Sequence, residues 1–112
     1  MRKYIIIVSI LFLLSSSLCA RIAIYGDTRT QDDVHARVTA KIASQTPIIA
    51  FHTGDLVNTG LNQAEYDKFH SITSPITSIA MFYPAKGNHE KNASLFLENF
   101  PELGAKTYYE VE

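Results

Sequence analysis

The chain has a single cysteine, Cys19, so no intramolecular disulfide is available to it. Charge of one sign is equally scarce. Lys and Arg number 10 against 11 Asp and Glu, a formal net charge of −1. That balance argues against a basic nucleic-acid surface. Its length leaves room for one small domain and no more. No low-complexity segment follows residue 20, and no histidine follows His89.

The first twenty residues differ from the rest. Arg2 and Lys3 precede an apolar run from Tyr4 to Leu14, and Ser15-Ser16-Ser17-Leu18-Cys19-Ala20 follows. A charged start, an apolar middle and a small-residue end make a secretory signal, with cleavage expected after Ala20. The alternative is a retained membrane anchor over residues 4–20, but the run falls short of the ~20 apolar residues that a span needs. Ser16-Ser17-Leu18 is a poor approach to a lipidated Cys19. Cleavage removes Arg2 and Lys3, so 10 − 2 = 8 basic residues face 11 acidic ones in a mildly acidic mature chain. Residues 21–112 are then short for a self-sufficient hydrophobic core. An exported protein, periplasmic or secreted, is the expectation.

Beyond the leader, one pattern recurs: an apolar strand, a turn opened by glycine, then a helix. Arg21 to Tyr25 leads into Gly26-Asp27. Ile48 to Thr53 leads into Gly54-Asp55. Met81 to Pro84, a weaker strand, leads into Gly87-Asn88-His89-Glu90. Val34, Val38 and Ile42 recur every four residues, which predicts a helix from Asp32 to about Ser44 with that apolar stripe inward. Asp32 and Asp33 suit its N-terminus. Leu61, Glu65 and Phe69 mark a second helix, with Tyr66, Phe69 and Ile72 as its apolar edge. Ser74-Pro75 is expected to interrupt it, with a further helical turn at Ile76 to Ala80. A third helix is predicted from Ala93 to Phe100, and Thr107 to Val111 has strand composition.

Successive turns lie about 30 residues apart, the length of one βαβ unit. Right-handed crossovers place such turns along one edge of a parallel sheet, where open α/β sheets bind ligands. Asp27, Asp55 and Asn88 can therefore converge. Two carboxylates and an amide oxygen, with no thiolate, suit hard or borderline metal ions. A carboxylate can bridge two metals, an arrangement that stabilises both oxygens of a phosphoryl displacement. Beside Asn88, His89 is placed to protonate a leaving alkoxide. Glu90 either orients His89 or serves structurally. Taken singly, each Gly-Asp is most simply a turn. Three such turns, each after an apolar strand and at matching spacing, point to a shared site.

The order Gly26-Asp27, Gly54-Asp55-Leu56-Val57, Gly87-Asn88-His89-Glu90 resembles the calcineurin-like metallophosphoesterases, which include the purple acid phosphatases. The resemblance spans residues 21–112 and corresponds to the N-terminal half of that family's domain. It implies an α/β fold, the N-terminal half of a β-sandwich flanked by helices. It also implies hydrolysis of phosphomonoesters or phosphodiesters with two metal ions drawn from iron, zinc and manganese. By the same resemblance Asp27 ligates the first metal, Asp55 bridges both, Asn88 ligates the second, and His89 donates a proton or contacts phosphate. Thr107-Tyr108-Tyr109 is similar to a strand of exported members.

Two departures stand out. Many members carry Asp-x-His at the first turn, whereas this chain has Asp27-Thr28-Arg29. Arginine is not a metal ligand at any ordinary pH, but Arg29 can contact phosphate oxygens bidentately. His35 is either a substitute nitrogen ligand or a solvent-facing helical histidine. Thr28, Arg29 and the Asn58-Thr59-Gly60 turn lie near enough to touch substrate. The second departure is the lack of the family's later Gly-His-x-His turn. His52 is read as a core residue or one packed behind the ligands, and His70 as surface. An N-terminal portion of a longer enzyme accounts for these features, with little turnover expected from the portion alone. The alternatives are a non-catalytic truncated product or binding module of the same fold, and an unrelated α/β domain anchored by its N-terminal segment.

Overall fold

The computed structural model describes residues 19–107. Three short strands, β1 (Ile22–Tyr25), β2 (Ile49–His52) and β3 (Met81–Pro84), form one sheet in the order β1-β2-β3, with both pairings parallel. Helix α1 (Asp32–Ser44) connects β1 to β2, α2 (Gln63–Thr77) connects β2 to β3, and α3 (Ala93–Asn99) follows β3. A 3-10 turn at Pro101–Leu103 comes next. Crossovers between parallel strands are right-handed as a rule, which with this strand order puts α1 and α2 on the same face of the sheet. They pack there: Thr39 Oγ1 donates to the Ile72 carbonyl at 3.1 Å, and Lys68 Nζ pairs with Asp32 Oδ2 at 3.0 Å.

The register sorts the strand residues into two sets. Ala23, Tyr25, Ala50, His52, Phe82 and Pro84 face the helices; Ile22, Ile24, Ile49, Phe51, Met81 and Tyr83 alternate with them on the other face. The first face carries the core, which continues into the cluster Leu56, Val57, Tyr66, Phe69, Phe96 and Phe100. The second face is less covered among the described residues: Ile22 is 58 % exposed, Ile24 69 % and Met81 55 %, while Ile49, Phe51 and Tyr83 are half-buried.

The α/β architecture, the strands and the starts of the first and third helices agree with the sequence reading, but several details differ. The stripe Val34–Val38 is not the packed face of α1. Both valines are exposed, and the buried side chains are His35 and Thr39, one position around the helix. The space beneath α1 is aromatic and polar, with the His35 ring 5.5 Å from that of Phe69 and 6.2 Å from that of Tyr25. The solvent-facing reading of His35 is thereby corrected. Helix α2 runs through Pro75 without a break. Proline removes the N–H that would reach the Ser71 carbonyl, and Ser74 Oγ donates to that carbonyl at 2.9 Å instead. Leu61 precedes α2 and is exposed; Asn62 is the N-cap, its side chain accepting from Glu65 N–H. The expected leader lies outside the described residues except for Cys19 and Ala20, as does the expected strand after Thr107. Among the described residues no helix is long and apolar enough to cross a membrane.

Candidate metal and phosphate site

The three turns meet beyond the carboxyl ends of the strands. Backbone hydrogen bonds join the first to the second: Asp27 N–H donates to the Gly54 carbonyl at 3.1 Å and Thr28 N–H to the Asp55 carbonyl at 3.0 Å. The second is joined to the third by His89 N–H, which donates to Asp55 Oδ1 at 3.1 Å. Asp27 and Asp55 share an unusual backbone, each with φ of 55°. The left-handed region costs a residue with a Cβ roughly 1–2 kcal/mol, least for Asp and Asn. Both turns thus carry the same strained conformation at the same residue type. Glycine at position 87 is required by contact, because a Cβ there would lie 2.2 Å from Asp55 Oδ1 and 2.4 Å from its backbone nitrogen.

Glu90 holds the second and third turns together. It is fully buried, and its carboxylate accepts three backbone N–H groups: Val57 at 3.1 Å on Oε1, and Asp55 at 3.1 Å and Gly87 at 2.7 Å on Oε2. Of the two roles open to it from sequence, the structural one is observed. A second acid, Glu65, orders the neighbouring loop by accepting from Thr59 N–H, Thr59 Oγ1 and Gly60 N–H. Burial pushes its pKa up, but these hydrogen bonds outweigh that and leave it below the usual value.

Arg29 links Asp27 to His89. Its Nε donates to Asp27 Oδ1 at 3.1 Å, and its Nη1 contacts His89 Nε2. His89 Nδ1 lies 2.6 Å from the Asn58 carbonyl, which only accepts, so Nδ1 carries the proton. Nε2, facing the guanidinium, is then the unprotonated acceptor. Asp27 is largely exposed, Arg29 and His89 are half-buried, and Asn88 is exposed. The role of Asn58 was legible only as proximity, since it acts through a carbonyl that any residue would supply. A shallow cavity of about 290 Å³ adjoins the site, with Thr28, Arg29, Asn58, Asn62 and Lys68 in its wall.

His52 and His35 lie beneath the turns. His52 is 1 % exposed, and its ring meets Tyr25 and Phe69 edge-on at 4.7 and 5.6 Å. Burial lowers its pKa to about 4. His35 is likewise lowered by burial, against the pull of Asp32, and its Nε2 has no hydrogen-bond partner among the described residues. His70, half-buried, is 3.3 Å from Asn99 Oδ1 and apart from these turns.

The donors for metal are partial. The turns present two carboxylates and one amide, and the Oδ2 atoms of Asp27 and Asp55 accept no hydrogen bond from the described residues. That oxygen-rich character fits a hard cation. Among the described residues, however, no three His, Cys, Asp or Glu side chains form a group able to hold a metal ion.

Comparison with known proteins bears on the family and the fold. A family model described as calcineurin-like phosphoesterase matches residues 20–112. No match was found among curated proteins. Among solved structures, a purple acid phosphatase from yellow lupin (Lupinus luteus) seeds is similar in fold, with a TM-score of 0.52 and 24% sequence identity. The match covers 63% of this chain and 15% of the lupin chain.

Proposed function

The chain belongs to the calcineurin-like phosphoesterase family, and from that membership we propose that it forms the N-terminal half of a metal-dependent phosphoric ester hydrolase acting on phosphomonoesters or phosphodiesters. The observation that carries this reading is the edge-to-edge joining of the three turns that bear Asp27, Asp55 and Asn88-His89. In this reading Asp27, Asp55 and Asn88 would contribute ligands to the metal pair, with iron, zinc or manganese as candidates. A bound metal pair supplies Lewis-acid stabilisation of phosphoryl charge and an activated water. The chain's own residues do the rest. Arg29, at rest on Asp27 and His89, turns its guanidinium to the phosphate oxygens of the substrate. That frees His89 Nε2, unprotonated at rest, to take up a proton from solvent and pass it to the leaving oxygen, while the Asn58 carbonyl holds the ring by Nδ1–H.

Residues 1–20 direct export in this proposal, and N-terminal sequencing of the exported protein would begin at Arg21. The exposed apolar side chains of Ile22, Ile24 and Met81 support the half-domain reading, since an exposed apolar face is ordinarily covered. The absence of a complete ligand group among the described residues favours the second reading, a non-catalytic binding module of the same fold. Mn²⁺ titration and hydrolysis of p-nitrophenyl phosphate and its diester separate the two. Weak Mn²⁺ binding by this chain, with turnover only once the missing ligands are joined to it, is the expected result. No binding by either the chain or the longer protein, or brisk turnover by residues 21–112 alone, would overturn it.

A further inference from the structure

His52 has no assigned role, yet its ring spans the two carboxylate turns. Gly54 N–H donates to His52 Nδ1 at 3.2 Å, so Nδ1 is unprotonated and Nε2 bears the hydrogen. Nε2 lies 2.9 Å from Thr28 Oγ1, and that hydroxyl in turn donates to the Leu56 carbonyl at 3.2 Å. Every donor and acceptor along the path is matched: Gly54 N–H to Nδ1, Nε2–H to Oγ1, Oγ1–H to Leu56 O. The path leaves the second turn just before Asp55, touches the first turn just after Asp27, and returns to the second just after Asp55. It is buried at both side chains, with Thr28 9 % and His52 1 % exposed. The rings of Tyr25, Phe69 and Phe82 pack around it at 4.7, 5.6 and 6.4 Å.

We propose that His52, acting through Thr28, is a positioning residue that sets the separation of Asp27 and Asp55. The backbone bonds from Asp27 N–H and Thr28 N–H pull the two turns together; the ring between Gly54 and Thr28 fixes how far they close. Both aspartates are held at left-handed φ, a conformation that persists only where its surroundings enforce it. The inference rests on the metal reading above for its consequence, but its structural core stands without metal.

The test uses the full chain with His52→Phe, which keeps a ring and removes both hydrogen bonds, Thr28→Val, which removes the hydroxyl, and the double variant. The metal-free readout is hydrogen exchange at the Asp27 and Thr28 amides. Each single variant is expected to speed exchange there about tenfold or more while the α2 amides hold their protection, and the double variant is expected to add little to either. With Mn²⁺ alone as probe, each single variant weakens binding about ten- to a hundredfold, the usual cost of losing a group that orients metal ligands. His52→Gln, which retains a donor for Thr28, recovers part of both effects. Unchanged exchange at Asp27 and Thr28, or fully additive single effects, would overturn the proposal. Wild-type protein that shows the exchange coupling but no Mn²⁺ binding would instead sink the metal reading and leave the positioning intact.

Discussion

Replacing Glu90 by Gln tests whether one buried carboxylate holds the site together. The side chain is fully buried and accepts three backbone N–H groups, from Asp55, Val57 and Gly87. Hydrogen bonds to a charged acceptor contribute roughly 1.5–3 kcal/mol each. Glutamine keeps the shape but offers one oxygen. In its better placement the oxygen serves Asp55 and Gly87, and the amide NH₂ is turned against the Val57 N–H. That leaves one buried donor unsatisfied, at about 1–3 kcal/mol, and weakens the other two bonds by removing their charge. Relief from burying a carboxylate works in the opposite direction. The net expectation is a loss of about 2–4 kcal/mol, a large part of the ~5–15 kcal/mol that stabilises an ordinary domain. Urea unfolding followed by circular dichroism measures it, and amide exchange at Val57 locates it. Glu90→Ala removes the acceptors of all three hydrogen bonds and is expected to leave little folded protein. A Glu90→Gln variant within about 0.5 kcal/mol of the parent, the range of ordinary surface substitutions, would refute the reasoning.

Gly87→Ala drives a Cβ to within 2.2 Å of Asp55 Oδ1, so we expect about 1–3 kcal/mol of destabilisation from overpacking and loss of Mn²⁺ binding, read from urea midpoints and metal titration. His52 gives stability a sign with pH: its pKa falls from 6.5 unfolded to about 4 folded, so between those values the unfolded chain takes up a proton that the folded chain refuses. Stability is therefore fully present above pH 6.5 and lost as pH falls toward 4, with a slope of at most about 1.4 kcal/mol per pH unit from this group. Urea midpoints at pH 7 and pH 5 should differ accordingly, and the difference should shrink in His52→Phe; equal midpoints would count against the buried neutral ring. The less covered sheet face predicts concentration-dependent self-association of residues 21–112. Ile24→Glu, at a position 69 % exposed, should reduce it in sedimentation experiments without lowering the unfolding free energy by more than about 0.5 kcal/mol.

Much of the fold was legible because its signals are local. Apolar strands ended by glycine and a helix start marked by Asp32-Asp33 act within a few residues, and a turn spacing near one βαβ unit repeats along the chain. The helix faces were less legible. Val34 and Val38 obey helical periodicity, yet the side chains that pack are His35 and Thr39, because the opposing surface supplies Tyr25, Phe69 and the Ile72 carbonyl. Pro75 likewise read as a break, until Ser74 covered the carbonyl that it leaves free.

By itself the sequence determined the chemical inventory and its order: Asp27, Asp55 and Asn88-His89, each set after a strand by a turn that needs glycine. Periodicity and turn chemistry are properties of neighbouring residues, so composition and spacing carry them. Only the tertiary structure decided what joins those turns. Glu90 reaches backwards to Asp55 and Val57, His52 reaches to Thr28, and Arg29 reaches to His89. These partners are up to 60 residues apart, and the groups that Glu90 reaches are backbone N–H groups that nearly every residue possesses. Such groups become specific only when the packing of α1 and α2 on one face of the sheet brings the turns within hydrogen-bond reach.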